Sequence, residues 1–227
     1  MLQNAFDAFY AQDYPKALEL FDRLALQNHP AALSSLGYMH QQGLGVQNSL
    51  EKAFAFYSQA AELDEPAAIY NLALMYADGV VVAHDQFRAF ELLLRSAILE
   101  FPQAQFETAL SLERGLGCTQ NFSEAAFWYE EAAKRGNPNA FNNLGVLYKE
   151  GHGVPQDYAR AFICFSRAAH MELAEAQYNL GLMYDQGLGC DADHDKALEW
   201  CRKAAYGGHE KAKGIIRSLQ EEGKIVF

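Results

Sequence analysis

PNAFNNLGVLYKEGHGVPQDYARAFICFSRAAHMEL, residues Pro138–Leu173, is the stretch from which the fold can be read. It is 36 residues long, and its pattern returns at that spacing on both sides. Moving backwards it meets Pro102–Asn137, Pro66–Phe101 and Pro30–Glu65; moving forwards it meets Ala174–His209. A fixed period of this size marks a solenoid, because one short unit cannot bury its apolar face until neighbours stack on it.

Each position of the unit has a physical reason. Slots are counted from Pro30, Pro66, Pro102, Pro138 and Ala174. Proline is tolerated in the first turn of a helix, where its missing N–H has no helical partner. Ala32, Ala68, Ala104, Ala140 and Ala176 stand in slot 3. Slot 7 holds Leu36, Leu72, Leu144 and Leu180, with Thr108 departing. Slot 8 is small throughout, from Gly37 through Ala73, Ala109 and Gly145 to Gly181, so that two helices can approach closely. Tyr76, Tyr148 and Tyr184 share slot 11. The spacing predicts an amphipathic first helix of about thirteen residues.

Gly43, Gly79, Gly115, Gly151 and Gly187 end that helix, and Gly223 repeats the slot in the tail. Glycine there supplies the left-handed cap that a β-carbon resists. A second glycine follows at Gly45, Gly117, Gly153 and Gly189; Val81 breaks the pattern, so the turn of the third unit, counting residues 1–29 as the first, is expected to differ. Ser49, Asp85, Asn121, Asp157 and Asp193 then open a second helix, each with a short side-chain oxygen able to satisfy an orphan amide. Alanine pairs such as Ala132–Ala133 and Ala168–Ala169 close it.

Residues 1–29 read as an atypical helix pair, from Leu2 to Ala11 and from Tyr14 to about Asn28, with Asp13 as cap. Residues 30–209 hold the five full units, and 210–227 repeat only the first helix as a polar terminal cap. The total is thirteen helices.

The recurring pattern A-x3-LG-x2-Y-x2-GxGV, an acidic cap, then KA-x2-WY-x-KAA resembles the Sel-1-like repeat, a relative of the tetratricopeptide repeat. Ala140–Ala169 and Ala176–Ala205 are the clearest copies, and YAQDYPKALELF in the first unit resembles the tetratricopeptide unit itself. The resemblance implies an all-α, right-handed α-solenoid superhelix of antiparallel helix pairs. It also implies an adaptor acting in signalling or in the assembly of complexes. Some secreted bacterial members are cysteine-rich and have been assigned penicillin binding or weak β-lactamase activity. They carry a regular cysteine pair in each repeat, which this chain does not.

Composition narrows the partners. Acidic residues outnumber basic ones by 29 to 18, for a formal charge of −11. Such a surface repels nucleic-acid phosphates and anionic membranes. No stretch is apolar enough for a membrane span. MLQNAFDAFYAQD has no basic n-region, so a cytoplasmic protein is expected, or a periplasmic or secreted one if a signal peptide has been removed. Cys118, Cys164, Cys190 and Cys201 form no CxxC pair and sit in apolar slots, so they read as buried, reduced thiols.

Three motifs invite chemistry. Ser49-Leu50-Glu51-Lys52 matches S-x-x-K, but no SDN or KTG accompanies it, and the same slots hold Asp85/Arg88 and Asp157/Arg160, so Ser49 reads as a cap. Asp191–Asp195 offers carboxylates and an imidazole without the spacing of a calcium loop. Asn121-Phe122-Ser123 is a formal glycosylation sequon in a cap slot. No catalytic residue, metal site or cofactor is expected.

The expected binding surface is a groove lined by the first helices. With leucine, glycine and tyrosine facing the packed side, slots 2, 5, 9, 12 and 13 share the other side, with slot 6 at its edge. Slot 6 reads Ser35, Asn71, Glu107, Asn143 and Asn179; slot 5 reads Ser34, Tyr70, Phe106, Asn142 and Tyr178. Asparagine offers a donor and an acceptor to an extended backbone, and the aromatics offer contact area. Related tetratricopeptide grooves use asparagine at the same slot. Arg114 and Lys149 are the only basic residues in slots 12 and 13, so an internal peptide segment is expected rather than a free carboxyl end. The reading is a non-catalytic protein–protein adaptor with a neutral or basic partner, itself monomeric or weakly self-associating. The alternatives are that these asparagines only satisfy neighbouring groups, and that the protein is a weak β-lactam hydrolase.

Overall fold

The computed structural model describes residues 1–222, which hold thirteen helices and no strand. The solenoid of helix pairs expected from the period is therefore present; Gly223 lies outside the described residues. The chain forms two compact units. The first, Met1–Gln120, contains α1 (Leu2–Tyr10), α2 (Tyr14–Ala25), α3 (Pro30–Gln42), α4 (Leu50–Glu62), α5 (Pro66–Asp78), α6 (Gln86–Ile98) and α7 (Pro102–Arg114). The second, from Asn121 onwards, contains α8 (Phe122–Lys134), α9 (Pro138–Glu150), α10 (Tyr158–His170), α11 (Ala174–Gln186), α12 (His194–Tyr206) and α13 (Glu210–Glu221).

The cap slots behave as their chemistry requires. The Asp13, Ser49, Asp85, Asp157 and Asp193 side chains each accept from the backbone N–H three residues on, and Asn121 accepts from both Ser123 and Glu124. Gly43, Gly79, Gly115, Gly151 and Gly187 are left-handed, with φ from 64° to 74°.

The second glycine does something different: it lets the turn sit on the start of the preceding second helix. A β-carbon at Gly153 would lie 2.3 Å from the Phe122 carbonyl carbon, and one at Gly189 would lie 2.2 Å from the Tyr158 oxygen. Val81 departs as expected; it does not take a positive φ and packs, partly buried, against the apolar cluster that includes Leu72 and Met75.

Slot 8 is small because of what faces it. A β-carbon at Gly37 would meet the Tyr57 ring at 2.6 Å, and one at Gly145 would meet the Phe165 ring at 2.8 Å. Where Cys201 replaces the ring, the α12 backbone takes its place, with the Ala197 carbonyl 3.1 Å from a β-carbon at Gly181.

Two helix ends differ from the sequence reading. α1 stops at Tyr10 and α2 at Ala25, short of Ala11 and Asn28. Gln12 and Asn28 adopt positive φ, 61° and 55°, which cannot continue a helix. Asp64, Glu100 and Glu172 do the same before each following first helix, in the slot that Gly136 and Gly208 fill elsewhere.

Candidate peptide-binding groove

In Met1–Gln120, α1, α3 and α5 bring Phe6, Phe9, Ser34, Ser35, Tyr38, Ala67 and Asn71 around a hollow of about 310 Å³. Its aromatic wall is braced: Phe6 packs edge-on to Phe21 at 5.3 Å, and Phe9 meets Tyr38 at 6.2 Å. Ser35 donates to the Ala31 carbonyl at 2.7 Å. Asn71 is half-buried at the edge of the hollow and makes no hydrogen bond among the described residues.

In the second unit the asparagines hold one another. Asn179 Nδ2 donates to Asn142 Oδ1 at 2.9 Å, and Asn142 Nδ2 donates to Asn143 Oδ1 at 3.3 Å. Asn143 Nδ2 donates to the Tyr129 hydroxyl at 3.0 Å. A side chain in slot 6 thus looks back to slots 5 and 28 of the preceding repeat. That register explains why Asn71 is open. Its slot-28 neighbour, Tyr57, turns its hydroxyl away to donate to Gln41 Oε1 at 2.8 Å.

The expectation that slot 5 is free needs correction. Asn142 and Ser34 are buried, at 7% and 8% exposure. The Tyr178 ring stacks on His209 at 4.3 Å, and the Tyr70 ring meets Phe101 at 5.3 Å. Phe106 is also half-buried. The slot assignment treated each helix alone, whereas the first helix of the next repeat covers that side. Glu107 is half-buried, and burial pushes its carboxyl above the usual range while the charge on Arg114 pulls the other way. Burial first, and the Glu107 charge second, raise the Tyr70 phenol.

The other motifs resolve into local structure. Ser49 Oγ accepts from Lys52 N at 3.2 Å and donates to Glu51 Oε2 at 2.9 Å, so its proton points to a carboxylate and not to the lysine amine. Asp193 caps α12, and His194 Nδ1 lies 2.9 Å from Asp185. Among the described residues no group of three or more metal-ligating side chains converges. Asn121 uses both ends of its amide, with Nδ2 donating to Glu124 at 2.8 Å. Cys164 and Cys201 are buried as expected, and burial raises the Cys164 thiol to about 11. Cys118 and Cys190 are only half-buried; their thiols point to the Ser111 and Met183 carbonyls at 3.4 and 3.7 Å. All four are free.

With the repeat geometry in place, a family profile described as Sel1 repeat matches residues 8–29, 30–65, 66–100, 102–137, 138–172 and 174–209. The chain belongs to the Sel1 repeat family. The profile reaches into the N-terminal pair as well as the five full units. Sel1 repeat proteins are generally non-catalytic scaffolds for protein interaction. A Sel1 repeat protein from Oxalobacter formigenes is similar in structure, with a TM-score of 0.91 and 28% identity over 97% of this chain and 91% of that one. The protein c5321, a protective antigen of uropathogenic Escherichia coli strains with an SLR fold, superposes with a TM-score of 0.86 at 29% identity. That match covers 92% of this chain but 45% of c5321, so the present chain spans less than half of it. No match is found among curated protein sequences. No helix among the described residues is long and apolar enough to cross a membrane.

Two features of this Sel1 solenoid were invisible to residue-type reasoning. One is the slot-6 register to slots 5 and 28, which a comparison of those three slots between repeats could have suggested. The other is the pairing of slot 5 with slot 36, seen in Tyr70 with Phe101 and in Tyr178 with His209.

Proposed function

We propose that this Sel1 repeat protein is a non-catalytic adaptor that holds an extended internal segment of a protein partner against its first helices. The observation that carries this reading is the hollow between α1, α3 and α5, where the unbonded amide of Asn71 faces aromatic walls. A half-buried amide with no partner of its own is a backbone receptor in waiting, since it can accept from one peptide N–H and donate to one carbonyl. The aromatic rings supply rigid contact area. The acidic surface favours a neutral or basic partner. Four cysteines outside any disulfide suit a reducing compartment, so cytoplasmic placement is part of the proposal.

The test is selection of a random peptide display library on the full chain and on Asn71→Ala. Binders are expected to enrich on the native protein and to lose about fivefold to tenfold in affinity on the variant, as for removal of a paired hydrogen-bonding group. Equal enrichment on a folded Asn71→Ala protein would remove the groove from consideration. Nitrocefin turnover by pure protein, abolished by Ser49→Ala, would overturn the non-catalytic assignment.

A further inference from the structure

Along slot 6, the position next to Asn71 in the following repeat is Glu107 on α7. Its surroundings differ from those of every asparagine in that slot. The slot-28 neighbour that would meet it is Leu93, which has no polar atom, and the slot-5 neighbour is Tyr70. Glu107 makes no hydrogen bond or ion pair among the described residues. Some other acids in this unit have cations at hand: Glu91 pairs with Arg88 at 2.9 Å, and Asp64 with Arg95 at 2.6 Å. Arg114, the basic residue nearest in sequence, acts on Glu107 only through space.

A half-buried carboxylate without a direct ion pair is costly to the fold, because it has lost part of its hydration and the through-space charge of Arg114 offsets this less than burial costs. An incoming cation would recover that loss, and partial burial makes the attraction stronger than at an open surface. Tyr70, within range of the same charge, provides an aromatic ring of the kind that cations favour. A divalent metal does not suit the site, since no third ligand converges there among the described residues. An acidic segment would be repelled both locally and by the net charge of −11.

We propose that Glu107 anchors one lysine or arginine side chain of the bound peptide, so that the groove of Met1–Gln120 selects an extended segment carrying a basic residue. This rests on the groove reading above and adds the side chain that gives it specificity.

The test uses fluorescein-labelled peptides of alanine, serine and leucine with a single central lysine, arginine, norleucine or glutamate. Anisotropy is followed on the full chain at two ionic strengths. The lysine and arginine peptides are expected to bind about tenfold more tightly than the norleucine peptide. Glu107→Gln should bring the lysine peptide down to the norleucine level, while Glu62→Gln, an equal loss of charge on exposed surface, should leave the preference intact. Glu107→Lys should reverse it in favour of the glutamate peptide, which gives a readout if the glutamine variant folds poorly. If all four peptides bind alike, the groove stands and the anchor does not. An equal effect of Glu62→Gln would show bulk attraction and overturn the anchor. If no peptide binds, the groove reading fails and takes this inference with it.

Discussion

Gly151 and Gly153 show how two residues of one type, two positions apart, answer to different forces. Gly151 has φ 74°, and a β-carbon there would find Gln156 Cβ at 3.2 Å, a contact that a small shift relieves. Its requirement is mainly conformational, so Gly151→Ala should cost about 1–2 kcal/mol, and a β-branched residue at least as much. Gly153 carries the same φ penalty and also faces backbone, with Ser123 N only 2.4 Å from a β-carbon. Gly153→Ala is therefore expected to be the more damaging, at more than about 2 kcal/mol. Urea melts of the two variants decide this, and equal midpoints would show that the turn does not rest on α8 as described. Glu107 makes the opposite case, a residue the fold would prefer to lose. Its folded carboxyl titrates above the unfolded value because of burial. The stability linked to its proton is present below the ordinary carboxylate range and is lost as pH rises through the raised value. Glu107→Gln should thus be more stable than the native protein at neutral pH, and the gap should close on acidification into the carboxylate range. Thermal melts across that range provide the check; a glutamine variant less stable at pH 7 would contradict it.

At the scale of the element, every second helix is closed at its start by a side-chain cap, and among the first helices α9 and α13 are as well. Four of the six second helices use an aspartate cap, and Asp157→Ala should cost about 1 kcal/mol by leaving the Arg160 N–H without its acceptor. Among the first-type helices, α13 is capped by an imidazole: His209 Nδ1 accepts from Ala212 N at 3.2 Å while Nε2 lies 2.9 Å from Glu175 Oε2. The same ring stacks on Tyr178. His209→Ala should loosen α13 and leave α9 and α10 unchanged. Amide hydrogen exchange would report this as faster exchange confined to α13; uniform acceleration across the second unit would refute the local role. The asparagine run from Asn179 to Tyr129 belongs to this scale too. It ties α11 to α9 and α9 to α8, so replacing Asn143 or Asn179 changes packing between repeats as well as any binding surface. Asn71→Ala is the cleaner probe of the groove.

Across each unit, close contacts run mainly from one helix to the next in order, with lateral links between first helices such as Phe9–Tyr38 and Asn179–Asn142. Stability in such a chain is a sum of repeat terms and neighbour interfaces. Native-state exchange should therefore be graded, least protected in α13 and most protected in the interior repeats. A single exchange free energy for every helix would rule this out. The same short reach divides what could be read in the residues from what could not. The period, the thirteen helices, the acidic caps and the left-handed glycines were legible in the sequence, because each is a local demand met by a residue type in a fixed slot. The left-handed residues at Asp64, Glu100 and Glu172 were harder to see, since glycine fills their slot only at Gly136 and Gly208. The groove residues were legible only as a set: residue type selected Asn71, Asn142, Asn143, Asn179 and Glu107 alike. Tertiary structure decided among them, because a slot-6 side chain is satisfied or left open by two residues of the preceding repeat. Tyr129 and Asn142 close the asparagines of the second unit, while Gln41 draws Tyr57 away from Asn71 and Leu93 has nothing to give Glu107.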